Sequence, residues 1–225
     1  MRTSKVALTL YIVCSILAVV ATIIGNETIV LLSKPAVIPA IFFYYLSVKR
    51  KRKVDLYFIM VLALSFAGDT IALLKLENET EILMIPFFLS YVLLLKFAIE
   101  DVRKMKFNIS GILLSVFVFL FLMYILYSLI ELFSDMYADL VVPVIIYGIV
   151  LGTFVSIAVY CFYSKNSSFT FYLAMAALLS VVSDVFYIMF SLIFHFPSFN
   201  YLELTVQLFS YFFIVKYFVL RKNVN

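Results

Sequence analysis

Long apolar stretches of eighteen to twenty-five residues, each closed by a short cluster of charge, make up nearly the whole of this chain. Neither a one-sided helical stripe nor the period-two alternation of a half-buried strand is visible: FIMVLALSFA and LLSVFVFLFLMYILYSLI are apolar on every side, which also excludes the strands of a membrane barrel. A transmembrane helix needs about 20 mostly apolar residues. Cutting the chain at its charge clusters predicts eight: Val6 to Ile24, Thr28 to Val48, Val54 to Leu74, Ile82 to Ile99, Ile109 to Phe133, Leu140 to Tyr163, Thr170 to Phe194 and Tyr201 to Leu220. The expected fold class is an all-α membrane bundle of eight helices. No Ser-rich or Pro-rich linker interrupts it, so residues 1–225 read as a single polytopic domain.

Composition agrees. The chain is 66% hydrophobic and 13% charged, against about 45–50% and about 25% in soluble domains, and too few charges remain to cover a water-exposed surface. Soluble enzymes and nucleic-acid modules are excluded, and the net charge of +4 matters through its distribution alone. Counted by alternate loops, thirteen Lys and Arg fall on one side: Arg2, Lys5, the run Lys49 to Lys53, Arg103, Lys104, Lys106, Lys165, Arg221 and Lys222. The other side receives Lys75, with Glu27, Glu77, Glu79, Glu81, Glu131, Asp135, Asp139 and Glu203. Basic residues stay cytoplasmic, so both termini are predicted there, and the Lys49 to Lys53 run reads as a topology determinant. The expected location is a multi-pass position in a membrane, the cell (inner) membrane of a bacterial source. The first segment resembles a signal peptide, but its nineteen-residue apolar run exceeds the 7–15 of a signal core, so it is read as an uncleaved helix. Two sequons on the predicted outer side, at Asn26 and Asn78, are read as chance matches.

Five charges survive inside the apolar stretches: Lys34, Lys96, Lys216, Asp69 and Asp184. A charge near the bilayer centre costs at least about 2.5–3.5 kcal/mol, so each marks a paired or functional group by default. Lys96 and Lys216 lie near predicted cytoplasmic ends, where a long stem reaches the headgroups. The other three cannot escape so easily. At about 1.5 Å per residue, Lys34, Asp69 and Gln207 fall roughly 9 Å below the predicted outer surface and Asp184 roughly 15 Å, with Tyr91 and Tyr147 in the same outer half. A polar layer is therefore expected within the bundle. SFAGDTIALL and SVVSDVFYIM each place a small residue before the Asp, 115 residues apart, which points to a four-plus-four parallel repeat and to close helix contacts at Gly68 and Ser183. His195, in the turn HFPSF, reads as a solvated loop residue, and Cys14 and Cys161 lie in no metal-ligand or redox spacing. No metal and no organic cofactor is implied.

Ser33-Lys34-Pro35, FAGD ending in Asp69, IYG around Tyr147, VVSD ending in Asp184, and Gln207 occur in this order on the second, third, sixth, seventh and eighth helices. In these features the chain resembles the lysoplasmalogenase family of eight-helix membrane proteins, the YhhN-like proteins. The resemblance implies hydrolysis of the sn-1 vinyl ether of a lysoplasmalogen to a fatty aldehyde and glycerophosphoethanolamine or glycerophosphocholine. Its substrate partner is then a membrane lysophospholipid. One departure stands out: where the family's fourth helix carries His followed three residues later by Tyr, this chain has Tyr91 and Leu94. That bears on rate and substrate if the imidazole takes part in the chemistry.

Vinyl ethers hydrolyse through protonation at the β-carbon and capture of the oxocarbenium ion by water, work that suits one carboxylic acid and one carboxylate. Desolvation disfavours the charged form of a carboxyl group, and a neighbouring cation favours it. Asp69 and Asp184 are assigned these catalytic roles jointly, with Lys34 as electrostatic support and Gln207, Tyr147 and Tyr91 orienting water or glycerol oxygens. The competing readings are a small-solute or lipid transporter, whose site would sit on helices broken at Pro35, Pro39 and Pro143, and a packing network of a Lys34–Asp69 ion pair and an Asp184–Gln207 hydrogen bond.

Overall fold

The structure is a computed structural model and describes residues 2–49, 55–74, 76 and 78–221. Most of the basic run (Arg50 to Lys53), together with Lys75, Glu77 and Lys222, lies outside the described residues. Among the described residues eight α-helices follow one another: α1 Arg2–Ile23, α2 Glu27–Val48, α3 Leu56–Ile71, α4 Glu79–Val102, α5 Ile109–Phe133, α6 Ala138–Ser164, α7 Ser168–Ile188 and α8 Pro197–Leu220. No strand occurs among the described residues. Seven of the helices are long and apolar enough to cross a membrane, with α7 counted through Phe194, so the chain is an integral multi-pass membrane protein. The exception is α3, where the expected span from Val54 to Leu74 contracts to sixteen helical residues, ending in a turn at Ala72 and Leu73.

Polar residues at the helix ends have local work. Asn26 accepts from the Ile29 amide at 3.1 Å, Asp55 from Tyr57 at 3.0 Å and Asn108 from Gly111 at 3.1 Å, each satisfying an amide that the first helical turn leaves free. The Asn26 sequon is thus occupied by a cap. Helices α2 and α6 run unbroken through Pro35, Pro39 and Pro143, so the interruptions on which a transport site would rest do not occur there. The irregularity lies elsewhere: α7 ends in a π-helical segment, Met189–Phe194, closed by His195 in the left-handed conformation (φ 54°). His195 is exposed, as the sequence suggested.

Sequential helices pair as hairpins, α1 with α2, α3 with α4, α5 with α6 and α7 with α8. Between the two halves, α4 packs on α6 and α8 packs on α2, contacts that exchange under a shift of four helices. The buried residues of one apolar core come from every helix except α5, which lays only Val118 and Leu122 against it and leaves a long apolar face (Leu113, Phe117, Leu120, Tyr124) exposed to suit lipid. Glycines bring α5 and α6 together: a Cβ on Gly148 would lie 2.7 Å from Leu126 and one on Gly152 2.7 Å from Met123.

The end of the bundle that holds Lys104 is fastened by a buried ion pair that the sequence analysis did not anticipate. Arg221, counted there as a loop charge, is 8% exposed and lies against Asp101, with Nε–Oδ1 at 2.9 Å, while its Nη2 reaches Glu100 at 2.8 Å. Tyr217 donates to the same Asp101 carboxylate. Nor do Lys96 and Lys216 simply reach for headgroups: Lys96 sits 3.4 Å above the Tyr57 ring, and Lys216 donates to the Tyr44 hydroxyl at 2.7 Å.

Candidate active site

Helix periodicity turns the sequence motifs into a site. Asp69 lies near the end of α3 and Asp184 near the end of α7, both on core-facing stripes, and the bundle brings them to one cavity of about 330 Å³. Lys34, Asp69, Tyr147, Asp184 and Gln207 all line it, so five of the six candidates meet as the layer estimate required. Tyr91 borders Asp184 in a smaller cage just behind the cavity. Gly68 sets the α3–α4 approach, as expected: a Cβ there would fall 2.6 Å from the Phe87 ring, which lines both spaces.

The two carboxyl groups have different company. Asp69 is 3% exposed, accepts from the Tyr211 hydroxyl at 3.0 Å through Oδ2, and feels the charge of Lys34. Its Oδ1 has no hydrogen-bond partner, nor has Oε1 of the neighbouring Gln207. Both are buried acceptors that a water or a substrate hydroxyl would satisfy. Asp184 accepts from Tyr147 at 2.7 Å and interacts with the Tyr91 hydroxyl, and its partners are therefore neutral. The packing-network alternative paired Asp184 with Gln207; in the structure Gln207 neighbours Asp69, because α8 presents it one turn before Tyr211 on the face toward α3.

A third carboxylate was misassigned by sequence. Glu203, counted as an outer loop charge, is 8% exposed and lines the cavity, where it couples electrostatically to Lys34, Asp69 and Asp184. The cause is the start of α8, at Pro197 rather than Tyr201, which carries Glu203 more than a turn into the helix. Pro at a first helical position was the available signal. Tyr211, the hydroxyl partner of Asp69, was missed as one tyrosine among sixteen. At the mouth the π-helical segment turns Phe190, Ser191 and Leu192 into the cavity wall, and Thr80 and Tyr187 join α4 to α7 through a 3.1 Å hydroxyl contact.

The cavity is amphipathic. From Tyr147 and Asp184 an apolar groove of about 50 Å³ continues between α5, α6 and α7, walled by Leu122, Ile125, Leu126 and Leu129. On the opposite side, Lys34, Ala72 and Asn200 are shared with a second cavity of about 360 Å³ that includes Thr22, Gly25 and Glu27. Polar chemistry and an apolar channel thus adjoin at Asp184. Among the described residues no group of three or more His, Cys, Asp or Glu is placed to hold a metal ion.

Comparison with curated proteins and comparison with solved structures give no match. A family model does match, over residues 29–216, a span that runs from α2 nearly to the end of α8 and contains every candidate site residue. The chain belongs to the YhhN family.

Proposed function

We propose that the protein is an intramembrane hydrolase of the vinyl ether bond of lysoplasmalogens, releasing a fatty aldehyde and a glycerophospho-amine. The observation that carries this reading is the pair of carboxyl groups on one amphipathic cavity, one beside a cation and one among neutral hydroxyls. Asp184, at the head of the apolar groove, protonates the β-carbon of the vinyl ether, and its electron pair becomes the C–H bond. The resulting oxocarbenium ion is stabilised by the Asp69 carboxylate, with Lys34 on the same cavity as its counter-charge. Water, placed by Oδ1 of Asp69 and Oε1 of Gln207, adds to the cation and gives its proton to Asp69. The hemiacetal then collapses to aldehyde and the sn-1 alcohol, with no net proton consumed.

An amphipathic substrate fits this layout. Its alkenyl chain follows the groove between α5, α6 and α7 toward lipid, and its glycerophosphate lies toward Lys34 and the second cavity. Tyr91, where relatives carry His, donates a hydroxyl to Asp184 and keeps a hydrogen-bonding group at that position.

The test is aldehyde release from a lyso-vinyl-ether phospholipid by detergent-purified protein, beside Asp69→Asn, Asp184→Asn and a saturated-ether lipid. Release from the vinyl ether alone, reduced about 10²–10⁴-fold in both folded variants, is expected of acid–base catalysis. A well-folded wild-type protein that releases no aldehyde refutes the proposal.

A further inference from the structure

The two halves of the bundle repeat more than an aspartate. In α3 Ser65 stands four residues before Asp69, and in α7 Ser180 stands four before Asp184. In α4 the dipeptide Ser90-Tyr91 recurs as Ser210-Tyr211 in α8. The pairs are crossed in space: Tyr211 of the second half donates to Asp69 of the first, and Tyr91 of the first half meets Asp184 of the second. Between them lies a cage of about 10 Å³ that includes both tyrosines, Asp184, and Ser65, Ser90, Ser180, Ser183 and Ser210. Each of these five serines is 3% exposed or less.

Five buried serines at one level of an apolar bundle need a reason. Three spend their protons on backbone carbonyls, Ser65 on Val61 at 3.0 Å, Ser210 on Gln207 at 2.8 Å and Ser183 on Glu203 at 3.3 Å, which leaves their oxygens as acceptors. Ser65 and Ser90 lie 3.5 Å apart, and the Tyr91 hydroxyl reaches Ser180 as well as Asp184. A volume of this size holds one water, provided two to four polar partners surround it, and here they do.

We propose that this cage binds one water molecule and that Tyr211, the water and Tyr91 form a proton path from Asp69 to Asp184. The proposal rests on the catalytic reading above, and that reading creates the need for it. After one turnover the proton taken from water is on Asp69 and Asp184 is left ionised, so the next substrate finds the acid discharged. In the path, Asp69 passes its proton to the Tyr211 oxygen as the Tyr211 proton moves to the water. The water gives a proton to the Tyr91 oxygen, and the Tyr91 proton moves to Asp184. Each oxygen between the two carboxyls gains one proton and loses one, and the acid is restored.

Ser65→Ala, which removes a hydroxyl, and Ser180→Val, which fills the cage, test this against Ser115→Ala, whose hydroxyl donates to the Ser156 carbonyl where α5 meets α6, outside the cage. Rapid-mix aldehyde release is recorded for the first turnover and for the steady state. The expected result is a first turnover at the wild-type rate in both cage variants, with steady-state release slowed roughly tenfold or more, and wild-type behaviour in Ser115→Ala. Wild-type steady-state rates in folded cage variants overturn the path, because the proton then returns through solvent in the main cavity. Wild-type protein without aldehyde release removes the catalytic reading, and with it the path. The water has its own readout in an experimental high-resolution density map: one ordered water in reach of Tyr91 and Tyr211 is expected, and an empty cage overturns the proposal whatever the kinetics.

Discussion

Gly68→Ala tests whether the α3–α4 approach shapes the site. A methyl group at residue 68 would fall 2.6 Å from Cε2 and 2.8 Å from Cζ of Phe87, whereas ordinary contact begins at 3.4 Å, so the ring must retreat by about 0.8 Å. Phe87 is 8% exposed and packed within the core, which leaves it the two polar spaces that it borders as places to go. Overpacking of this kind costs about 1–3 kcal/mol, and replacing a helical glycine by alanine returns about 1 kcal/mol. A net loss of about 1 kcal/mol is expected. The larger effect falls on the cavity, since a ring pushed into it takes space from the substrate proposed above while staying clear of both carboxyl groups. Detergent-solubilised protein should therefore show a slightly lower Tm and a raised KM, with kcat changed much less. Adding Phe87→Leu to Gly68→Ala should restore KM by removing the obstructing ring edge. A Gly68→Ala protein with wild-type Tm and KM would refute the reasoning, since the approach would then not govern the space beside Asp69.

Other perturbations separate the candidate site, the apolar groove and the scaffold. Tyr147→Phe removes the 2.7 Å donor to Asp184, and its loss should lower kcat about tenfold with normal accumulation, measured by steady-state aldehyde release. Leu126→Phe narrows the groove between α5 and α6, and a substrate series of increasing alkenyl length should show selective loss of the longest chains. Arg221→Met leaves the buried Asp101 carboxylate without its main partner and should cost about 3–5 kcal/mol in denaturant unfolding, while Arg221→Met with Asp101→Asn should recover most of it. If the double variant is as unstable as the single, the pair is not what holds that end together.

The helix count and the core of the site were legible in sequence for one reason: a charge inside an apolar stretch is too costly to be incidental, so Lys34, Asp69 and Asp184 announced themselves. Charge clusters located the loops for the same reason. What stayed hidden depended on helix ends and on partners far apart in the chain. Four residues' difference at the start of α8 turned Glu203 from a loop charge into a cavity wall. Arg221, Asp101 and Glu100 look like ordinary terminal charges until α4 and α8 are packed together. Tyr211 carries no signal among so many tyrosines, although the recurrence of its Ser-Tyr dipeptide in α4 was there to be seen. The π-helical turn after α7 leaves no composition mark.

The crossed tyrosine–aspartate pairs make the site a property of the two halves together. A four-helix half on its own would contain an aspartate, a serine four residues before it and a Ser-Tyr dipeptide, but the Tyr211 hydroxyl that addresses Asp69 belongs to the second half, and Asp184 takes one hydroxyl from its own half, Tyr147, and one, Tyr91, from the first. Divided at the turn between α4 and α5, the chain would leave Asp69 without Tyr211 and Asp184 with Tyr147 but without Tyr91. The packing of the two halves therefore also sets the hydrogen bonding of the two carboxyl groups: Tyr211 reaches Asp69 from α8, and Tyr91 reaches Asp184 from α4.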